Sequence, residues 1–544
     1  MAFSNAASVC LSAFWYSKLC NLVAELVMSH PFISILASVE LVYLATFYLY
    51  IIPYANRPHG PPEPARNKEY HRQPHKLLVR IMKRIERRAI WNHQTIQQAF
   101  AEFLYLWFHH IKDDHQQEIN NSPPETEASS VASTSSSIQN HQPDIDNEPY
   151  QPAPTFDTSA LVKSKLQNPP LPILDEVKEL VSWAFLGRNH YDDLGKTKQD
   201  EWELEECRNL MQVFHDFRII FPTSRRPSSK ERMVPRKMTH EPVSPIFRPL
   251  IVYLTVALVE FIGGLVLRYY GFRKYVSSHG SLSYWHRQGP STHHPFIFFH
   301  GIAPAGITFY ICMILNLYQN PPSMYLFENK CISYGMSLYP VSEANTSASV
   351  VEALRRHGDG HATDLTICGH SFGSFQVTWM IHHPVLRPLI RKVVLLEPVS
   401  ILISDPDVME NFIYKRREHV SSWPTFINQS LKQTFDDLRQ YIADRLIYWV
   451  ASTEVYTEHY LRRHFVWYNF ELWLDDVPPT CHVWVGLAEK DAIVNAQKVK
   501  DEIDMTNQII NETRITPHMW RDCGHADCLT KPDLWKDIST FLGL

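Results

Sequence analysis

Glycine is scarce in this chain, so a close pair of glycines carries information. Only 18 of 544 residues are glycine, yet Gly369 and Gly373 flank Ser371 in a Gly-x-Ser-x-Gly pattern whose second position is His370. A run with β-branched residues, 363–367, precedes the pattern, and a helix-compatible run follows it. The pattern therefore predicts a crowded strand-to-helix turn that lifts the Ser371 hydroxyl off the sheet.

The chain also lacks the usual signs of a metal site or a nucleic-acid surface. Its nine cysteines are scattered without a paired metal spacing, and its 28 histidines include no His-Glu-x-x-His cluster. The net charge of −5 argues against a nucleic-acid partner. We therefore expect no metal, no other cofactor and no nucleic acid.

A serine nucleophile needs a base, an orienting acid and donors for the oxyanion, and the chain offers each in order. A buried-strand pattern at 481–487 runs into Asp491, and a last strand at about 514–520 leads to His525. Asp491 is the predicted acid and His525 the predicted base.

The predicted oxyanion donors come from two loops. An apolar strand at 295–299 ends in His300 and Gly301, and the loop after such a strand supplies one backbone N–H. That donor is Ile302 or Gly301, and Phe372, directly after the nucleophile, supplies the second.

Glu397 is an alternative acid. It directly follows an apolar strand at 392–396, which is the strand after the predicted Ser371 turn and its helix. Asp491 is favoured because residues 486–494 fit the usual acid loop closely, but the alternative stays open at this point.

Residues 285–544 resemble the α/β-hydrolase superfamily, which includes lipases and esterases, in four motifs: His300-Gly301, Gly369-His370-Ser371-Phe372-Gly373, residues 486–491 and Gly524-His525. The resemblance implies an α/β fold with a mostly parallel sheet, helices on both faces, a Ser-His-Asp triad and no cofactor. Epoxide hydrolases and dehalogenases of this fold use an aspartate at the turn, so Ser371 argues against them. Acyltransferases and thioesterases share the triad and remain open, as does a non-catalytic membrane scaffold with a degenerate hydrolase domain.

The N-terminal half predicts attachment to a membrane. Residues 1–56 form the predicted anchor, in which 31–54 carry one charged residue, Glu40, and are long enough to cross a bilayer as a helix. Residues 57–111 form a basic amphipathic helical segment, which suits either an anionic membrane surface or packing on the protein. Residues 112–171, rich in Ser and Pro, are predicted to be a disordered linker.

Two further segments bear on the substrate. The helical region 172–284 contains an apolar run at 250–267, which either spans the membrane or lies at its interface. An aromatic-rich insertion at about 399–478 is predicted to cap the active site. Together with the anchor, the cap predicts hydrolysis of a carboxylic ester of a lipid, on a membrane for which the endoplasmic reticulum is one candidate.

Overall fold

The computed structural model describes residues 31–57, 74–112, 169, 171–196, 201–222, 231–279, 282–290, 294–318, 320–414, 445, 447–511 and 514–543. The predicted linker at 112–171 lies outside these ranges except for residues 112, 169 and 171. The chain divides into two compact units, one formed by Met1–Arg72 with Lys237–Leu544 and the other by Gln73–Arg236.

The first unit begins with a long apolar helix, α1 (Pro31–Thr46), which continues through one wide turn (Phe47–Ile51) into Ile52–Ala55. The helical stretch Ile35–Ala55 is long and apolar enough to cross a membrane by length and composition. Its end is fixed to the rest of the unit, because the backbone carbonyl of Ala55 bonds to His459.

Within its described residues, the second unit contains four α-helices and a small antiparallel sheet. Its elements are α2 (Pro74–Trp91), α3 (Ile96–Tyr105), β1 (Phe108–Lys112), α4 (Leu174–Leu186), α5 (Glu201–Asp216) and β2 (Glu231–Pro235), with β1 paired to β2. The apolar stripe of α2, which includes Leu78 and Met82, is buried where this helix meets α3 and α5. That stripe is therefore occupied within the unit and is not free to enter a membrane.

The first unit resumes with α6 (Leu250–Tyr269) and an eight-stranded sheet. The strands are β3 (Arg273–Val276), β4 (Ser283–Arg287), β5 (Phe296–Phe299), β6 (Met324–Glu328), β7 (Leu365–His370), β8 (Ile390–Leu396), β9 (His482–Ala488) and β10 (Ile515–Trp520). Their order in the sheet is β10-β9-β8-β7-β5-β6-β4-β3. All neighbours pair in parallel except at β4, which is antiparallel to both β3 and β6.

This mostly parallel sheet with its helices confirms the predicted α/β class. Further helices of the unit are α7 (Ile311–Asn316), α8 (Glu343–Arg356), α9 (Gly373–His382), α10 (Val455–Arg463), α11 (Ala496–Ile510) and α12 (Pro532–Leu542). The central strands β5, β6 and β7 are buried along their whole length, as expected of parallel strands covered on both faces.

The sheet starts earlier than the sequence indicated. The predicted catalytic domain begins at 285, but β3 starts at Arg273 and β4 at Ser283, so that boundary falls inside a strand. The polar, mostly exposed β3 follows α6 after a single turn, and nothing in its four residues marks it as part of a sheet.

The predicted cap at 399–478 contains only short elements where the structure describes it. They are Asp407–Met409, Glu410–Tyr414, Tyr448–Ser452, α10, Trp467–Phe470 and Leu474–Asp476, and residues 415–444 and 446 lie outside the description. This segment leaves the sheet after β8 and returns at β9. The segment therefore leaves the sheet at the carboxyl end of β8, where Leu396 pairs with His370 next to Ser371, and re-enters it at the amino end of β9, where His482 pairs with Lys392.

Candidate active site

Ser371 sits on the sharp turn that the sequence predicts. Strand β7 ends at His370, Ser371 adopts a left-handed backbone with φ of +49°, and α9 starts at Gly373. A β-carbon on Gly373 would lie 2.2 Å from the Phe299 carbonyl oxygen, and one on Gly369 would lie 2.6 Å from that of Gly373. Both positions therefore need glycine, because any side chain there would push neighbouring backbone apart.

The loop after β10 brings His525 to this serine. The Nε2 atom of His525 lies 3.0 Å from Ser371 Oγ, within hydrogen-bond distance. The His525 side chain is 8% exposed, so its ring is largely shielded from water while one edge stays open to the cavity described below. The geometry allows His525 to accept the serine proton.

Asp491 holds the other side of the imidazole. Its Oδ2 atom lies 2.8 Å from His525 Nδ1, and its Oδ1 atom accepts hydrogen bonds from the backbone N–H groups of Ile493 and Val494 at 2.7 and 2.9 Å. The carboxylate is thus oriented from both ends, and its side chain is 1% exposed.

Glu397, the alternative acid, also lies near His525 but is engaged elsewhere. Its Oε2 atom is 3.6 Å from His525 Nδ1, while it accepts a 2.5 Å hydrogen bond from the Ala526 N–H and pairs with His370 Nε2 at 3.0 Å. Of the two carboxylates, Asp491 makes the closer contact with the imidazole. Glu397 instead fixes the loop that carries His525.

A buried chain of hydrogen bonds, which the sequence did not predict, supports the turn that carries Ser371. The Gly301 N–H donates to the Tyr310 hydroxyl at 2.9 Å, which lies 2.8 Å from His370 Nδ1. Burial raises the pKa of Tyr310 and lowers the pKa of His370, so the phenol keeps its proton and the imidazole is neutral. Tyr310 therefore donates to Nδ1, and the Nε2–H of His370 donates to Glu397.

These hydrogen bonds decide which of the predicted oxyanion donors remain available. Because the Gly301 N–H is engaged by Tyr310, it is not available to a substrate oxygen. The backbone N–H groups of Ile302 and Phe372 have no acceptor among the residues that the structure describes, and both residues line the cavity around Ser371. Of the three predicted donors, these two remain suited to the role.

His300 has a structural environment. Its Nε2 atom accepts a hydrogen bond from the Asn329 N–H at 2.9 Å, and its Nδ1 atom lies 2.7 Å from the Gly301 carbonyl oxygen. Burial lowers the pKa of His300, which keeps the ring neutral, with Nδ1–H as donor and Nε2 as acceptor. His300 thereby shapes the loop that carries Ile302.

Three side chains at the site are spaced closely enough to hold a metal ion. Ligand atoms of His370, Glu397 and His525 all lie within 4.8 Å of one another. A metal between them would displace the hydrogen bonds from His370 to Glu397 and from His525 to Asp491, which already orient these groups. The donor set therefore fits a proton-transfer network better than a metal centre.

Ser371 opens into an apolar cavity of about 480 Å³. Residues next to the central strands, Ile302, Phe372 and Phe375, supply part of its lining, and the 399–478 segment supplies another wall. That wall consists of Val399, Ile403, Val408, Met409, Phe412, Ile413, Ile447, Val450, Ala451, Leu461 and Phe465. The cavity has room for an apolar chain whose end lies beside the Ser371 hydroxyl.

No protein-family model matches the sequence, and no curated protein matches it. Solved structures similar to this chain include a carboxylesterase from Nitrososphaera gargenis (15% identity, TM-score 0.36) and an esterase from Thermogutta terrifontis (14%, 0.34), each aligned over 50% of this chain and 98% of its own. A carboxylesterase from Bacillus subtilis aligns over 54% of this chain and 99% of its own (13%, 0.31). These values are too low to transfer an activity or a substrate.

Proposed function

We propose that this protein is a membrane-anchored serine hydrolase of the α/β-hydrolase fold that cleaves a carboxylic ester of a lipid. The observation that carries the proposal is the position of His525, whose Nε2 lies 3.0 Å from Ser371 Oγ while its Nδ1 lies 2.8 Å from Asp491. Base, nucleophile and orienting acid thus stand in the relation that serine hydrolysis requires.

The reaction follows from these contacts. Ser371 Oγ attacks the ester carbonyl carbon as its proton passes to His525 Nε2, and the resulting imidazolium is stabilised by Asp491. His525 returns the proton to the departing alcohol, which leaves an acyl group on Ser371. A water molecule, deprotonated by the same imidazole, then releases the acid.

The negative charge that develops on the carbonyl oxygen needs donors that are already oriented. The backbone N–H groups of Ile302 and Phe372 fill this role, one from the loop after β5 and one from the turn itself. Tyr310 supports them indirectly, because its bonds to Gly301 and His370 tie the two loops together.

The lipid assignment is supported by the lining of the cavity and by the apolar helices. The 399–478 segment forms an apolar wall over Ser371, which is the role of a cap that excludes water. Two helical stretches, Ile35–Ala55 and Leu250–Tyr269, have the length and composition of membrane spans. A soluble polar ester would need neither feature.

Labelling with a fluorophosphonate probe tests the proposal. The folded wild-type protein should react covalently, and Ser371→Ala should abolish both labelling and ester hydrolysis, because no other group of the triad replaces the nucleophile. Ser278→Ala, which alters an exposed serine of the same unit, is the matched control and should label normally. Labelling that persists in Ser371→Ala would show that the assigned nucleophile is wrong.

A further inference from the structure

Helix α6 has two different faces. Tyr253, Gly263, Gly264 and Leu267 are buried, whereas the opposite side exposes large apolar side chains along its length. The exposed set is Ile251, Leu254, Leu258, Val259, Phe261, Ile262, Leu265, Val266 and Tyr269. Such a helix needs an apolar environment on one side only.

The buried face lies along the catalytic unit itself. A β-carbon on Gly263 would lie 2.5 Å from the Thr308 side chain, and one on Gly264 would lie 3.2 Å from the Trp285 ring. The contact extends from Tyr253, which packs on Tyr334, to Leu267 in the main core. At 1.5 Å per residue this is roughly 21 Å of helix in contact with the enzyme, so α6 is a flank of the unit rather than a separate span.

Charges on and around α6 are arranged for contact with lipid. Glu260, the one acidic residue within the helix, pairs with Lys274 at 3.3 Å. The backbone N–H groups of Leu250 and Ile251 belong to the first turn of α6, where no carbonyl of the helix can accept from them. They donate instead to Glu40 of α1, at 2.9 and 2.8 Å. Arg268 and Arg273, at its far end, are exposed and suited to lipid phosphates.

The rim of the active-site cavity is connected to α6 at one point and to the residue Arg248, just before α6, at another. Phe309 lines the cavity and is 51% exposed, and its neighbour Thr308 is the residue that contacts Gly263. Val450 also lines the cavity, and its neighbour Trp449 is 42% exposed. The Trp449 carbonyl accepts a hydrogen bond from Arg248, two residues before α6 begins.

We propose that α6 lies in one leaflet of a membrane with its exposed face among the acyl chains, and that the cavity opens onto that leaflet between Phe309 and Trp449. The substrate is then a lipid ester already resident in the bilayer, whose acyl chain reaches Ser371 without crossing water. The inference deepens the proposed function and rests on it for the chemistry at Ser371. The bilayer is favoured over a protein partner because the neighbouring Ile35–Ala55 stretch has the length and composition of a span and is tied to the start of α6 through Glu40.

A comparison of two substrates with the full-length protein tests this inference. One is p-nitrophenyl butyrate in solution, and the other is umbelliferyl oleate in vesicles of four parts phosphatidylcholine to one part phosphatidylserine. The double variant Leu258→Glu/Phe261→Glu places charge on the lipid-facing side, away from the cavity lining. We expect its rate on the vesicle substrate to fall by about tenfold or more, while its rate on the soluble ester stays within about twofold of wild type.

Ile509→Glu is the matched control, because Ile509 is a 59% exposed apolar residue on α11, and both of its rates should stay at the wild-type level. Equal rates for the double variant and wild type on vesicles would overturn the inference. The inference would also be overturned if the wild type were a dimer, the double variant were a monomer and the vesicle activity were retained. The exposed face of α6 would then join two copies of the chain.

The depth of α6 in the membrane is a second measurement, which needs no activity. A nitroxide attached through a ketone-bearing amino acid at position 254 or 265 should report similar depths near the acyl-chain boundary of one leaflet. Depths that differ by the rise of the intervening helix, roughly 16 Å, would mean that α6 crosses the bilayer and would overturn the inference. If the wild type fails to hydrolyse p-nitrophenyl butyrate, the proposed function fails, while the depth measurement still tests the position of α6.

Discussion

At the residue scale, two buried carboxylates flank His525 and differ in their other contacts. Asp491 has one oxygen held by two backbone N–H groups and the other on the imidazole, so its geometry is committed to orienting His525. The Glu397 oxygen nearest His525 accepts hydrogen bonds from the Ala526 N–H and from His370 instead. Glu397 also has a left-handed backbone, with φ of +47°. The different contacts predict different consequences of neutralising each acid.

Asp491→Asn should lower kcat by roughly ten-thousandfold. Because Oδ1 is held by two N–H groups, the amide NH2 would face Nδ1 of His525 and force the proton onto Nε2, where the ring can no longer accept one from Ser371. Glu397→Gln keeps an acceptor for the Ala526 N–H and should lose less than about tenfold. Steady-state ester hydrolysis measures both, and the reverse ranking would make Glu397 the acid.

A histidine far from the site should control stability in acid. His286 is buried in β4 against His357 and Tyr325, and burial, reinforced by His357, lowers its pKa from 6.5 to about 3. The unfolded chain therefore binds this proton first as the pH falls, so stability is complete above pH 6.5 and declines towards pH 3.

The unfolding free energy of the wild type should fall between pH 8 and pH 5. In His286→Phe, which keeps an aromatic ring, this fall should be smaller by about 1 to 2 kcal/mol. Urea denaturation of both proteins at the two pH values gives the comparison. An identical pH dependence in wild type and variant would contradict the assignment of this proton to His286.

The residues that the sequence predicts for the site, and that the structure brings together, are those with a local signature. Ser371 lies between two close glycines, and His525 and Asp491 each follow a strand pattern in a recognisable loop. Tyr310 has no such signature, because its role comes from a hydroxyl that reaches His370, sixty residues along the chain. For the same reason, the sequence alone predicts Gly301 as an oxyanion donor, although its N–H donates to the Tyr310 hydroxyl in the structure.

At the element scale, the turn between β7 and α9 depends on close approach to β5. Gly373→Ala should cost about 1 to 3 kcal/mol in unfolding free energy and lower ester hydrolysis by more than about tenfold, because the new methyl group would displace the Phe299 carbonyl and the following oxyanion loop. Thermal denaturation and steady-state kinetics measure the two effects.

Gly358→Ala is the control for the effect of glycine removal itself. Its φ is +84° and a β-carbon there meets nothing within 4 Å, so the cost should be about 1 kcal/mol, with kcat unchanged. If Gly373→Ala behaved like Gly358→Ala, crowding at the turn would not be what demands glycine.

Elements near the site were more predictable than those at the sheet edge. Strands β5, β7 and β9 are apolar, fully or almost fully buried, and followed by loops with recognisable chemistry, whereas β3 is a polar four-residue strand with three exposed positions. Edge strands obtain their place from pairing with a neighbour, which no periodicity in a short segment reveals. The boundary at 285 was misplaced for that reason.

At the scale of the whole molecule, the Ile35–Ala55 stretch is expected to hold the protein in the membrane. Leu41 and Leu49 are 66% and 68% exposed on it, and an arginine in the middle of a span costs about 2.5 to 3.5 kcal/mol. The double variant Leu41→Arg/Leu49→Arg should be released from membranes by alkaline carbonate, while wild type stays in the pellet. Ile509→Arg, on α11, should pellet like wild type, and retention of the double variant would place the anchor elsewhere.

The bond between Glu40 and the start of α6 also has a consequence in time. Glu40 and Leu250 are 210 residues apart in the sequence. On a ribosome that adds 5 to 20 residues each second, the Glu40 carboxylate is therefore synthesised roughly 10 to 40 s before the N–H groups that it binds. During that interval the hydrophobic segment around Glu40 leaves the ribosome with an unmatched carboxylate. The side chain that joins two apolar helices in the finished protein is therefore a liability during biosynthesis, until the second helix has emerged.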